Sequence, residues 1–221
     1  MNQAVPRANH LFEQRLKAAA VELNLPLSEF ACERLLHFIR LLDQWNKTYN
    51  LTAVREPQDQ LVQHLFDSLS IANCLDEQLK EKADLWDIGS GAGLPGLPLA
   101  ILWPERHMTT VDSVGKKIAF QKHAIASLGL KNASAVHGRV EQQRIAHPAD
   151  LIVCRAFSSL AQFVQSCSTL VGPNTILAAM KGKVPETEMA ELPANWQILN
   201  IVPLKVPELE AERHLIMMRQ N

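Results

Sequence analysis

The chain has no apolar run long enough to cross a bilayer: its longest, near LPGLPLAILW, is short and broken by prolines. The first ten residues, MNQAVPRANH, carry no apolar stretch behind a basic start, so a secretion signal is not expected either. A cytoplasmic protein with no membrane partner is the expectation. Charge of one sign is also missing. With 22 Lys and Arg against 23 Asp and Glu, the formal net charge is -1, so any nucleic-acid contact must be a local patch rather than a global field. Cysteine is scarce: Cys32, Cys74, Cys154 and Cys167 lie far apart, with no C-x-x-C pair and no histidine at zinc-ligand spacing. They read as reduced core thiols. None of the eight histidines falls in an H-E-x-x-H arrangement, so no metal is expected. Internal repeats and low-complexity segments are absent as well.

What is present is ordinary globular material. At 221 residues and 47 per cent apolar composition, the chain fits one α/β domain with an extra element at one end, as a monomer by default. From Asn9 to about Leu23, apolar residues recur at helical spacing up to Pro26. Ser28 suits the N-cap of a second helix, whose Leu35, Leu36, Ile39, Leu42 and Trp45 return every three or four residues to about Asn46. After a connection, Pro57 suits the first turn of a third helix carrying Leu61, Leu65, Leu69 and Ala72. Residues 1–80 are therefore expected to form a helical segment and 81–221 the main domain. Near Asp84 the pattern changes to short apolar runs alternating with helical stretches, the mark of a parallel sheet with crossovers. The expected strands are LWDI from Leu85, HMTTVD to Asp112, SAVH around Val136, DLIVC to Cys154 and TILAAM to Met180. WQILNIVPL and RHLIMMR then suggest an antiparallel closing pair.

LWDIGSGAGLPGLPLAI sets a strand, three alternate glycines and a helix in a row, so bare backbone at Gly89, Gly91 and Gly93 can approach a ligand. The loop alone is ambiguous, since Gly91, Gly93 and Gly96 also satisfy the G-x-G-x-x-G dinucleotide fingerprint. Asp112 closes the next strand, where a carboxylate meets the ribose hydroxyls of a nucleoside-bearing cofactor; its plainer role is a helix cap. Asp87, two positions before the first glycine, suits the cationic amino group of a methionine moiety and would repel a pyrophosphate. The roughly 110 residues after Asp112 are also too few for a second mononucleotide half plus a dehydrogenase substrate domain.

The ordered set WNKTYNLTAVR, HLFDSL, DIGSGAGLPGLPLAI, VDSVGKKIAF, GRVE, CRAFSSL and MKGKVPE spans most of the chain, and with it the sequence resembles the ribosomal small-subunit methyltransferase G family. Gln121, where that family often has leucine, and Cys154, where a small hydroxyl residue is common, depart from its pattern. The resemblance implies a Rossmann-like class I methyltransferase fold, mostly parallel with an antiparallel closing strand, and S-adenosyl-L-methionine as cofactor. It implies methylation at N7 of one guanine in a loop of small-subunit ribosomal RNA, the RNA or the subunit being the partner. Carried over residue by residue, the cofactor contacts fall on Gly89 and Leu94, on Val140 and Glu141, and on Arg155.

Guanine N7 has a lone pair and no proton, so the reaction needs orientation more than a general base, and no catalytic residue is assigned. In duplex RNA that edge lies in a deep, narrow groove, which favours a loop target. Arg139, Arg155, Lys181 and Lys183 follow expected strands and form a candidate phosphate patch, against a reading as scattered solvated charge. Lys116 and Lys117 simply suit the solvated face of a helix. Trp45, Tyr49 and Phe157 can stack on bases, although Trp45 sits in an apolar stripe that reads as core. Two rival functions stay open at this point: a small NAD-dependent oxidoreductase, from the overlapping glycine fingerprint, and a noncatalytic RNA-binding assembly factor on the same scaffold.

Overall fold

The computed structural model describes residues 4–221, with side-chain surroundings from His10 onward. Helix α1 (Ala4–Glu22) begins before the first apolar repeat, because backbone hydrogen bonding extends the helix past its buried stripe. Ser28 caps α2 (Glu29–Tyr49), its Oγ accepting the Ala31 N–H at 3.1 Å. The helix runs three residues beyond the expected Asn46. Asn50 ends it in a left-handed conformation (φ 49°) and donates its N–H to the Asn46 carbonyl.

Pro57 opens α3 (Pro57–Gln60) as expected, but the single helix anticipated beyond it is broken. A π-helical stretch, Leu61–Phe66, leads into α4 (Asp67–Leu69), and a turn separates this from α5 (Ala72–Asp76). Leu61, Leu65 and Leu69 nevertheless all reach the same core. The wider turn adds a residue without losing the apolar face.

The strands are β1 (Asp84–Ile88), β2 (His107–Asp112), β3 (Ala133–His137), β4 (Leu151–Arg155), β5 (Ile176–Lys181), β6 (Trp196–Pro203) and β7 (His214–Gln220), in spatial order β3-β2-β1-β4-β5-β7-β6. The first five pair in parallel; β7 runs antiparallel to both β5 and β6. The connecting helices are α6 (Gly96–Leu102), α7 (Gly115–Leu128), α8 (Leu160–Ser166) and α9 (Glu186–Ala190). Side chains of β1 alternate between faces: Leu85 packs with Leu99, Leu151 and Met108, Trp86 and Ile88 with Ile152, Phe163 and Ile216. Leu35, Phe38 and Leu42 of α2 share a third cluster with Leu97 of α6 and Phe120 of α7, so the N-terminal helices are built into the sheet's helical layer. No helix among the described residues is long and apolar enough to cross a membrane.

Strand order reverses at β1, which has β2 on one side and β4 on the other. Ile88 pairs with Val111 on β2 and Cys154 on β4. The residues that follow these three, Gly89, Asp112 and Arg155, therefore emerge together at the carboxyl edge, where open α/β sheets bind ligands.

Candidate cofactor and substrate site

Gly89, Gly91 and Gly93 take left-handed conformations at φ +66°, +59° and +77°, which strain any residue with a Cβ. The loop is held from below. Gly89 and Ser90 donate their N–H groups to the Val111 carbonyl, at 2.9 and 3.1 Å. Asp112 grips it from the side: one carboxylate oxygen accepts the Gly91 N–H at 2.9 Å, the other the Val114 N–H at 2.8 Å at the start of α7. Each oxygen retains a lone pair for a further donor. Asp112 is thus a clamp between the glycine loop and the residue that leads into α7; it does not cap the helix itself, whose N-cap is Val114.

Beside this loop opens a cavity of about 460 Å³, lined by Gly89, Asp112, Lys117, Arg139, Val140 and Glu141, with Phe157 across it. Val140 is buried on a short 3-10 turn, Val140–Gln142, and supplies an apolar wall. Glu141 is exposed and accepts the Ser166 hydroxyl at 3.0 Å. Lys117, read from the sequence as simply solvated, stands 3.8 Å from Asp112 and lines the cavity. Gly91 and Gly93 shape the loop without lining the cavity. Leu94 turns its side chain into the core, only 2 per cent exposed, while its N–H donates to the Ser90 carbonyl.

Two polar side chains brace the loop from inside. Gln121 on α7 donates to the Ser90 hydroxyl at 2.8 Å and the Gly91 carbonyl at 2.7 Å, and its own carbonyl accepts from Thr110. Asp87 does not face the cavity as its position suggested. It is fully buried, accepts the Gly96 N–H at 2.8 Å, and leaves its second oxygen without a partner. Burial pushes its carboxyl up to about 7, against the opposing pulls of the Gly96 hydrogen bond and the Arg155 charge.

Arg155 lines a second cavity of about 480 Å³ with Gln63, His64, Asp67, Lys181 and Arg213. Ala156, left-handed at φ +59°, carries the chain from Arg155 to Phe157 and so from one cavity to the other. Asp67 accepts from Arg155 at 3.1 Å and from Arg213 at 3.0 Å, while Arg155 also donates to the Gln63 carbonyl. His64 meets the Thr52 hydroxyl at 2.8 Å, and its other ring nitrogen is buried without a partner. Burial first, then the Arg155 charge, pulls its pKa down to about 4, leaving the ring neutral near pH 7.

The four cations of the expected phosphate patch are distributed rather than gathered. Arg139 sits at the first cavity, Arg155 and Lys181 at the second, and Lys183 is exposed beyond β5. The Lys181 ammonium is engaged by Glu188 at 2.8 Å and the Phe157 carbonyl at 3.2 Å. Asp67, His64 and Arg213 were not singled out by the sequence, although Asp67 and His64 lie in its HLFDSL motif, and Gln121 stood out there only as a departure from the family's pattern. Cys32, Cys154 and Cys167 are buried free thiols and Cys74 is half-buried; burial pushes all four thiols up. Among the described residues, no cluster of three or more His, Cys, Asp or Glu is arranged to hold a metal ion.

Residues 31–216 match the family model described as rRNA small subunit methyltransferase G. The chain is 46% identical over 210 residues to the ribosomal RNA small subunit methyltransferase G of Bordetella avium, covering 94% of this chain and 93% of that protein. It is likewise 46% identical over 203 residues to the protein of the same name from Azoarcus sp., covering 92% and 93%. Among solved structures, a SAM-dependent methyltransferase from Aquifex aeolicus aligns with a TM-score of 0.54 at 18% identity, over 82% of this chain and 96% of that one. One from Geobacter sulfurreducens, in complex with S-adenosyl-L-homocysteine, aligns with a TM-score of 0.55 at 11% identity, over 82% and 98%. These two likenesses show the fold, the Rossmann-like α/β arrangement with its antiparallel closing strand.

Proposed function

Because the chain belongs to the rRNA small subunit methyltransferase G family, we propose that it transfers a methyl group from S-adenosyl-L-methionine to N7 of one guanine in a loop of small-subunit ribosomal RNA. In this reading it works in the cytoplasm as a metal-free monomer, on the RNA or on the subunit, with residues 1–80 as helical support for the cofactor domain 81–221. The observation that carries the reading is the cavity at the carboxyl edge of β1 and β2, where an open glycine backbone, a carboxylate and an apolar wall converge.

The residues fit a nucleoside-bearing sulfonium cofactor. Gly89 leaves room for close approach, the Asp112 carboxylate offers acceptors to ribose hydroxyls, and Val140 presents a surface to the adenine. Glu141 borders the same cavity. Arg155 closes β4 and lines the second cavity, where its guanidinium suits the cofactor carboxylate or an RNA phosphate. Gly91, Gly93 and Leu94 set the loop that brings Gly89 into place. When bound, the cofactor supplies an electrophilic methyl group.

The protein's own task is alignment. Guanine N7 carries no proton to remove, so the reaction asks for orientation rather than for a general base. Charge moves from sulfur to base during transfer, and the fixed dipoles and charges of the cleft act on that shift without reorganising. Membership of a methyltransferase family speaks against the nicotinamide reading of the glycine loop.

The test is transfer of labelled methyl from S-adenosyl-L-methionine to small subunits and to purified ribosomal RNA lacking the modification, followed by mapping of the label. Label at N7 of a single loop guanine is the expected result. Label on another base, or none despite measurable cofactor binding, would overturn the assignment.

A further inference from the structure

The seam between α2 and α7 carries aromatic rings and cations in alternation, and it ends at the cofactor cavity. At its far end Phe30 is 60% exposed with the Arg34 guanidinium 3.9 Å above its ring. Both line a surface groove of about 680 Å³ with His37, Arg40 and the last turn of α7. Farther along, the Trp45 ring lies 5.4 Å from His123 and 5.0 Å from Tyr49, which is 46% exposed. Lys116 then reaches across from α7 to the Tyr49 carbonyl at 2.8 Å. The next residue, Lys117, lines the first cavity beside Asp112.

We infer that this seam is a binding track for a single-stranded RNA segment flanking the target nucleotide, with Tyr49 and His123 as base-stacking surfaces and Arg34, Arg40 and Lys116 as phosphate contacts. The inference rests on the proposed function, which it deepens by naming a path for the substrate strand.

Charge complementarity favours RNA over an apolar partner. The chain as a whole carries a net charge of -1, yet Arg34, Arg40, Lys116 and Lys117 succeed one another along the seam. Of the acidic side chains nearby, Glu13 is paired with Lys17 at 2.8 Å and Asp43 with Lys47 at 2.7 Å, while Glu33 borders the far groove. Aromatic faces interleaved with cations are the pattern that grips single strands without reading a duplex. At 21 residues, α2 spans roughly 30 Å, room for several nucleotides. Tyr49 and His123 are exposed rings, so they are available for stacking without disturbing the core.

The experiment measures binding of a fluorescently labelled rRNA fragment containing the target loop, alongside methyl transfer to naked RNA and to small subunits. Tyr49→Ala combined with His123→Ala is expected to weaken RNA binding and raise the RNA KM by about ten-fold or more. S-adenosyl-L-methionine affinity and kcat should stay within about two-fold of the wild type, and Tyr49→Phe, which keeps the ring, should bind RNA normally. The deficit of Arg40→Glu relative to the wild type should widen as salt is lowered and screening weakens. Wild-type RNA affinity in the folded double variant overturns the track. So does a loss confined to assembled subunits, which would assign the face to a ribosomal protein. RNA binding that depends on Tyr49 and His123, without transfer to guanine N7, would sink the proposed function and leave the track standing.

Discussion

A Cβ on Gly96 would fall 2.8 Å from both the Cβ and Oδ2 of Asp87 and 2.9 Å from Thr110 Cγ2, whereas one on Gly89 meets nothing within 4 Å. The two glycines therefore serve different ends. Gly96→Ala overpacks the buried contact between α6 and β1 and is expected to destabilise the fold by about 1–3 kcal/mol in a denaturant titration. Gly89→Ala strains only its own φ of +66°, about 1–2 kcal/mol, but sets a methyl group on the cavity wall. Its larger effect should appear in cofactor affinity by calorimetry. If both variants lose stability alike and bind cofactor normally, the division is wrong. Asp112→Ala should weaken cofactor binding by about 1–3 kcal/mol and also release the Gly91 and Val114 amides; Asp112→Asn, retaining one acceptor, should lose less. Unchanged affinity in the alanine variant would refute the ribose role. Gln121→Leu introduces the residue common in the family but removes the hydrogen bonds to the Thr110 and Ser90 hydroxyls and the Gly91 carbonyl, leaving the two hydroxyls only their longer bonds to the Ser134 and Val111 carbonyls. A stability loss of about 1–3 kcal/mol is expected, readable in the same titration.

Strands and helices differed in how far sequence pattern reached them. Every expected strand formed within a residue or two of its expected bounds, because short apolar runs between turn residues have few other ways to bury both faces. The closing pair was equally legible, since no helix separates its two runs. The helix after Pro57 was not: a leucine every fourth residue fits a continuous α-helix, and nothing in the composition marks a π-turn. That turn places His64 and Asp67 at the second cavity. Asp67 meets Arg155 and Arg213, which lie 88 and 146 residues away, so the cluster exists only once β4 and β7 are in the sheet. Local spacing reads the glycine loop and Asp112, which share one crossover, but cannot read a junction of three distant elements. Asp67→Ala removes the common acceptor of both guanidinium groups. It should cost about 1–3 kcal/mol of stability and raise cofactor and RNA dissociation constants together. Normal binding of both ligands would reduce Asp67 to a purely structural pair.

Across the whole molecule, two buried titratable groups set opposing pH dependences. His64 is held near 4, below its ordinary 6.5, so the folded state resists protonation. Its contribution is fully present above about pH 6.5 and is lost as pH falls toward 4. Asp87 is held near 7, above its ordinary 3.8, so the folded state retains a proton that the unfolded chain releases. Its contribution is fully present below about pH 4 and is lost as pH rises through 7. Between pH 4 and 6.5 the two slopes oppose, each bounded by about 1.4 kcal/mol per pH unit. Single substitutions unmask them. Relative to the wild type, Asp87→Asn should gain stability as pH rises from about 4 to 7, because its unfolded chain has no proton at this position to release. His64→Gln should gain relative stability as pH falls from about 6.5 to 4, because its unfolded chain no longer takes up a proton that the folded state refuses. Chemical denaturation of the three proteins across this range reads both differences directly. Differences from the wild type that stay constant with pH would show that neither group titrates between the folded and unfolded states. Differences of the opposite sign would place Asp87 as a charged carboxylate beneath the glycine loop and His64 as an imidazolium at the second cavity.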